Sequence, residues 1–365
     1  MLDGGGPVIR VWFTDFWEGW VPSNNFFVHL LASGPELAGI HLDPVTPQLL
    51  FFSVFHRAGQ PGHLAYNPLW KQGKCVKVFY TGENVRADFS QCDIALDFER
   101  LSQVPPKKLH LRLPLWLLYI DHFGVPPCPG QSPQYLVPYA QLFAPRANIR
   151  SLMAGFVAKN PAGPRLTFVR LFQKQCGEQS VACPGPLANN APPIGPGERA
   201  KLEFLERCNI SIAFENSSHP GYCTEKLFHA LAAKTLPIYW GDPLADKDFN
   251  PDAFIHLQRD AQSLETMTLT GFKADVLERF FKIGLKNGVM CCPAIDKVNA
   301  RMWTREQEVK HLHFRMLELR AMLLQAVGLC QTRSVCWNPQ CPCCTSNTAS
   351  TPAPAAPAPA ATPTP

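Results

Sequence analysis

The segment that most constrains the fold is NISIAFENSSHPGYCTEKLFHALAAKTLPIYWG, residues 209–241. It opens on an apolar run, crosses a loop of polar and turn-forming residues, continues in a helical pattern and closes on a second apolar run. Two short strands joined through a helix lie parallel, because a crossover is needed to bring the second alongside the first. Strands without alternation belong in a sheet covered on both faces. The unit is therefore that of a doubly wound α/β sheet. Thr224 is the expected N-cap. Leu227, Phe228 and Leu231 share one face at helical spacing, and Pro237 lies beyond the helix end.

The same grammar recurs upstream. PVIRVWF (residues 7–13), QLLFFSVF (48–55), CVKVFY (75–80) and CDIALDF (92–98) read as short strands separated by longer connections, and LRLPLWLLYI follows. Residues 126–150 are proline-rich, lack periodicity and mark a link between domains. Beyond them, SLMAGFVAKN reads as a strand. RLTFVRLFQKQ reads as a helix with Leu166, Val169 and Phe172 inward, and KLEFLERC as another helix. Residues 302–329 carry a long helical pattern. The expected organisation is an N-terminal unit over 7–140 and a second over 150–295. A helix with a cysteine-rich segment follows over 296–344, and a disordered proline/alanine-rich tail over 345–365.

Two cations stand where a helix dipole disfavours them. Lys226 falls in the first turn of the Thr224 helix, and Arg165 starts the helix after NPAGP. A cation there costs roughly 0.3–1 kcal/mol unless an anion docks. A strand, a loop and a helix N-terminus in succession form a ready anion site. Glu215, Asn216, Tyr222 and Glu225 gather at the same strand end, where doubly wound sheets collect ligands. The plain alternative is a solvated first turn with a chance lysine. The turn TGEN puts Glu83 straight after another strand, as a general base facing a cleft or as an exposed turn residue.

Other signals narrow the classes. The chain has a net charge of +5 without a dense Lys/Arg run, so a nucleic-acid surface is not indicated. GxGxxG, the P-loop lysine motif and GxSxG are missing. PLWLLYI is far shorter than the ~20 residues of a membrane helix, so no transmembrane segment is expected in this chain. Five of the 14 cysteines crowd into CQTRSVCWNPQCPCC. Their irregular spacing favours disulfides of an oxidising compartment over zinc, with free thiols as the alternative. His229 and His256 read as surface or packing residues, and the tryptophans of DFWEGW as core or as the lining of a sugar cleft. Asn209 and Asn216 open formal glycosylation sequons but fall in a buried strand and the anion loop, so neither is expected to be occupied.

FYTGENVRADFSQCDIALDF, LRLPLW, NPAGPR, AFENSSHPGYCTEKLFHALAAKTLPIYWGDP and KDFNPDAFI together resemble the α1,3/4-fucosyltransferases of glycosyltransferase family 10. The resemblance spans about residues 8–282. It implies a GT-B fold, two Rossmann-like domains facing across a cleft, with GDP-fucose in the C-terminal one and a glycan acceptor in the other. By the same resemblance Glu83 is the general base, Lys226 and Arg165 neutralise the donor diphosphate, and Tyr222, Glu225, Glu215 and Asn216 belong to the donor site. The implied reaction is an inverting transfer of fucose from GDP-fucose to a hydroxyl of a glycan acceptor, with O3 of GlcNAc as the expected position. It needs no metal or other cofactor, and the sequence offers no DxD-type carboxylate pair in a suitable loop. A relative using another nucleotide sugar, or a silent sugar-binding protein, are the alternatives. Family members usually act in the Golgi, held by an N-terminal anchor not seen in this sequence; the alternative location is cytoplasmic.

Overall fold

In the computed structural model of the protein, the described residues are 6–34, 36–55, 75–123, 136–143, 150–260, 285–286, 289–290, 300–309 and 315–329. The first sheet has six strands: β1 (Val8–Thr14), β2 (Gly39–Leu42), β3 (Leu49–Phe52), β4 (Val76–Tyr80), β5 (Ile94–Asp97) and β6 (Leu109–Arg112). Their spatial order is β2-β1-β3-β4-β5-β6, and every pairing is parallel. All four residues of β3 and all four of β5 are buried, as strands covered on both faces require. Helix α1 (Phe26–Ala32) covers one face, and the Asn25 side chain caps it by accepting from the Phe27 and Val28 amides.

The second sheet runs β11-β10-β9-β7-β8, again wholly parallel. Its strands are β7 (Leu152–Gly155), β8 (Val181–Ala182), β9 (Cys208–Phe214), β10 (Leu236–Trp240) and β11 (Ile255–His256). A short helix α2 (Tyr139–Phe143) stands in the expected link, most of which lies outside the described residues. Helices α3 (Arg165–Cys176), α4 (Gly197–Glu206) and α5 (Glu225–Ala232) connect the second set of strands. The strand–helix–strand reading of 209–241 is thus realised as β9-α5-β10, paired from Leu236↔Ile210 to Trp240↔Phe214.

Several local readings are corrected. In α3 Phe168, Val169 and Phe172 are buried, whereas Leu166 is only half-buried. Helix α4 starts at Gly197, four residues before KLEFLERC, and Cys208 opens β9 instead of closing the helix. Within the helical pattern expected over 302–329, the described residues are helical at Arg305–Val309 and in α6 (Arg315–Ala326). Helix α6 returns to the first sheet's layer, where the Arg320 Nε donates to the Leu31 carbonyl at 3.2 Å. The cysteine cluster from Cys330 and the tail lie outside the described residues. Cys75, Cys92, Cys176, Cys183, Cys208 and Cys223 carry free thiols. Among the described residues no helix is long and apolar enough to cross a membrane.

The two sheets share an apolar seam. Trp116, in the turn Leu115–Tyr119 after β6, packs against Phe249 at 4.8 Å, Trp303 at 6.0 Å and Phe228 of α5 at 6.1 Å between ring centroids. Fully buried aromatics there exclude water from the seam and favour one relative placement of the two units.

Candidate active site

Glu83 stands in the turn that leaves β4. The Thr81 hydroxyl accepts the Glu83 amide at 3.0 Å and fixes that turn locally. Asn84 Nδ2 donates across the seam to Ser217 Oγ at 2.8 Å. Ser217 Oγ in turn donates to Asn216 Oδ1 at 3.2 Å, and that oxygen also accepts from the Tyr222 hydroxyl at 3.0 Å. A turn of the first sheet is therefore tied to the loop between β9 and α5. Burial pushes the Glu83 carboxyl above its ordinary value; Lys226 and Asn216 oppose this, and the Glu225 and Glu215 charges add to it.

The loop's other end is organised by Glu215, which is fully buried. Its carboxylate accepts the Thr224 amide at 2.8 Å and the Thr224 hydroxyl at 2.6 Å, and lies 3.2 Å from the Lys226 ammonium. Thr224 occupies the N-cap position, but its hydroxyl makes no cap bond to the helix. Instead it donates to Glu215 and accepts from Lys226 Nζ at 2.8 Å. The expectation of a hydroxyl cap is corrected for a physical reason: a buried carboxylate is the stronger acceptor and competes successfully for that proton.

The charge at the helix start is shared along a row. Glu198 and Lys201 of α4, Glu225 and Lys226 of α5, and Glu215 of β9's end alternate in sign. The separations are 3.9 Å for Lys201–Glu198, 2.9 Å for Lys201–Glu225, 3.4 Å for Lys226–Glu225 and 3.2 Å for Lys226–Glu215. Burial disfavours the Lys226 charge, but Glu215 and Glu225 outweigh it and hold the ammonium above its ordinary value. Burial likewise opposes the Glu225 carboxylate, yet Lys201 and Lys226 draw it well below the usual range. The cation that the dipole disfavours is thus answered in part by carboxylates of the chain itself.

Arg165 is buried as the first residue of α3. Its Nε and Nη2 donate to the Phe214 carbonyl at 3.2 and 2.9 Å, and Nη1 to the Asn160 carbonyl at 2.8 Å. It braces the end of β9 next to Glu215, and these bonds leave two of a guanidinium's five N–H groups. Burial draws its pKa down, with Glu215, Glu225 and Tyr222 opposing. Burial also pushes the Tyr222 phenol up, helped by the Glu215, Glu83 and Glu225 charges, so Tyr222 is a neutral donor.

All seven residues singled out in the sequence therefore meet at one place, where strand ends of both sheets face each other. Reading the sequence missed Glu198, Lys201 and the buried carboxylates Asp242 and Asp248. The last two lie in YWGDP and DKDFNP, just beyond β10, and acids at a strand's carboxyl end were the available signal. His229 and His256 are both fully buried packing residues. Trp17 and Trp20 are half-buried in the loop after β1, joined with Phe16 in one aromatic group with centroids 4.1–5.7 Å apart.

Two parallel-sheet units with this charged seam define a two-domain α/β protein of the GT-B type. The family profile for the alpha-(1,3)-fucosyltransferase FucT N-terminal domain matches residues 11–119. That for glycosyltransferase family 10 (fucosyltransferase), C-terminal, matches 174–270. Together they cover more than half of the chain, which belongs to glycosyltransferase family 10. An alpha-(1,3)-fucosyltransferase FucT of Helicobacter pylori is 30% identical over 219 residues, 52% of this chain and 44% of that protein. A human 4-galactosyl-N-acetylglucosaminide 3-alpha-L-fucosyltransferase is 36% identical over 104 residues, 28% of this chain and 27% of that protein. The chain thus matches less than half the length of either relative. A solved α1,3-fucosyltransferase with GDP-fucose superposes with a TM-score of 0.58 at 19% identity, covering 92% of this chain and 94% of that one, which is a likeness of fold.

Proposed function

We propose that this protein transfers L-fucose from GDP-fucose to a hydroxyl of a glycan, O3 of GlcNAc being the first candidate, with inversion at the anomeric carbon. The observation that carries the reading is the hydrogen-bonded line Asn84–Ser217–Asn216–Tyr222, which ties the turn holding Glu83, a carboxylate of elevated pKa, to the loop before a cationic helix start. Glu83 takes the proton of the acceptor hydroxyl as its oxygen attacks the anomeric carbon. The bond from that carbon to the β-phosphate oxygen breaks, and its electron pair leaves with GDP. Lys226, Arg165 and the amides at the start of α5 stabilise the charge that develops there. With two cations and a helix dipole in that role, the reaction needs no divalent metal.

The diphosphate meets an ammonium that already touches two carboxylates. Binding then exchanges part of the Lys226–Glu215 and Lys226–Glu225 pairing for phosphate oxygens. The row through Lys201 keeps Glu225 neutralised during that exchange.

The test is a glycan array incubated with GDP-fucose, followed by linkage analysis of the product. Fucose in α1,3 linkage to GlcNAc, accompanied by release of GDP, is expected. Transfer of another sugar from a different nucleotide donor, or calorimetric GDP binding without any turnover, would overturn the reading.

A further inference from the structure

The proposed chemistry does not use the most heavily bonded residues at the seam. Arg112, the last residue of β6, is buried. Its Nε donates to the Phe98 carbonyl of its own unit at 2.9 Å. Its Nη1 and Nη2 donate across the seam to both carboxylate oxygens of Asp248, at 3.0 and 2.5 Å, and Nη2 also to the Gly221 carbonyl at 2.9 Å. Arg100, from the loop after β5, adds a bond to Asp248 at 2.8 Å. Asp248 is fully buried, so its charge is held in place by first-unit arginines.

Gly221 is gripped from the other side too. Its amide donates to Asp242 Oδ1 at 2.7 Å, and that buried carboxylate also accepts the Leu244 amide at 2.8 Å. Gly221 has φ +89°, and a Cβ there would meet the Phe98 carbonyl oxygen at 2.4 Å. Phe98 then packs edge-on against the Tyr222 ring, with centroids 5.1 Å apart at 69°. One peptide step before Tyr222, the chain is fixed by a first-unit arginine, a first-unit carbonyl and a second-unit carboxylate.

We infer that Arg112, paired with Asp248, is a positioning residue that seats the Gly221–Tyr222 step of the donor loop against the first unit. It thereby sets the distance between Glu83 and the leaving diphosphate. The inference rests on the proposed transfer reaction for its kinetic consequence, but not for its structural one. A bidentate buried guanidinium fixes direction as well as charge, which a lysine ammonium cannot do. The placement of Tyr222, and through Asn216 and Ser217 that of Asn84 beside Glu83, follows from that fork.

The test compares Arg112→Lys and Asp248→Asn with the unaltered protein. Circular dichroism and thermal unfolding first select temperatures at which each variant is folded. Hydrogen exchange followed by mass spectrometry then reads the peptides over 215–224. At least tenfold faster exchange confined to that loop is expected, with β9 and β10 unchanged. Unchanged loop exchange, or acceleration spread evenly over the second sheet, would overturn the inference. In steady state, each folded variant should raise the GDP-fucose KM tenfold or more and lower kcat as well. Wild-type KM and kcat in a folded Arg112→Lys protein would overturn it too. Failure of the unaltered protein to bind GDP or turn over GDP-fucose counts against the transfer reaction, while the exchange data still decide the positioning role.

Discussion

Lys226→Met isolates the part of the site that the structure makes double-edged. The sequence alone leads one to expect loss of donor binding with an intact fold. The structure adds a cost, because Glu215 is fully buried and loses the ammonium 3.2 Å away. Removing one partner of a buried pair costs about 3–5 kcal/mol. Here the Lys226 side chain keeps 21% exposure and Glu215 retains both Thr224 bonds, so the cost falls at or just below the lower end, about 2–3 kcal/mol. That corresponds to a fall in Tm of roughly 4–12 °C for a domain of this size. Glu215→Gln keeps an acceptor for the Thr224 amide and removes the orphaned charge. The double variant should therefore be more stable than the two single losses predict, by about 1–2 kcal/mol. Donor binding separates the effects. Lys226→Met should weaken GDP by roughly 10- to 100-fold, the worth of a hydrogen bond to a charged group. Glu215→Gln should bind GDP at least as tightly as the unaltered protein, since a competitor for the ammonium has gone. Urea unfolding and calorimetry on the four proteins give the full cycle. Additive stability losses, or a Glu215→Gln protein that loses GDP as Lys226→Met does, would refute the reasoning.

Glu83→Gln should retain GDP affinity by calorimetry and lose most turnover with saturating donor and acceptor. Because the Glu83 pKa is raised above its ordinary 4.5, the acid limb of kcat/KM should have its midpoint above that value. A carboxyl whose folded pKa is raised makes its best contribution to stability below the unfolded pKa, and that contribution falls as pH rises to the folded value. Glu83→Gln should flatten this part of a Tm-against-pH profile. Chelation with EDTA followed by desalting should leave the transfer rate within about twofold, given a reaction stabilised by fixed cations. In Gly241→Ala the new Cβ would meet Glu215 Cγ at 2.4 Å and the Tyr239 hydroxyl at 2.7 Å. Overpacking of this kind costs about 1–3 kcal/mol, read as a drop in Tm.

The legible parts of this protein were those governed by local rules. Continuous apolar runs gave β3, β4, β5, β9 and β10, and a crossover helix made them parallel. The dipole argument singled out Lys226 and Arg165, and both sit at helix starts beside buried carboxylates. What local rules cannot supply is pairing across the seam. Asp248 is 136 residues from Arg112, and Glu215 takes the Thr224 hydroxyl from nine residues away. Helix α4 brings Lys201 to Glu225 only once β9 has placed α5 beside it. The early start of α4 has the same origin, since proline and glycine before Glu198 read as loop until packing against α5 rewards a further turn.

The misplaced cation thus carries more information than its dipole penalty. A lysine at a helix start costs at most about 1 kcal/mol and could be tolerated without purpose. Chance does not also supply a fully buried Glu215, a Thr224 hydroxyl turned away from capping and a second acid–base pair in Lys201 and Glu225. Those features hold the ammonium charged and nearly fixed while leaving one-fifth of its side chain open. A fixed charge with an open side needs little reorganisation when charge develops on a leaving group. The carboxylates that satisfy Lys226 in the free chain are, on this argument, what preorganises it. Glu215→Gln should accordingly leave GDP affinity intact while lowering kcat, because an ammonium released from its carboxylate binds the ground state as well but aligns less well with the charge that develops on the leaving group.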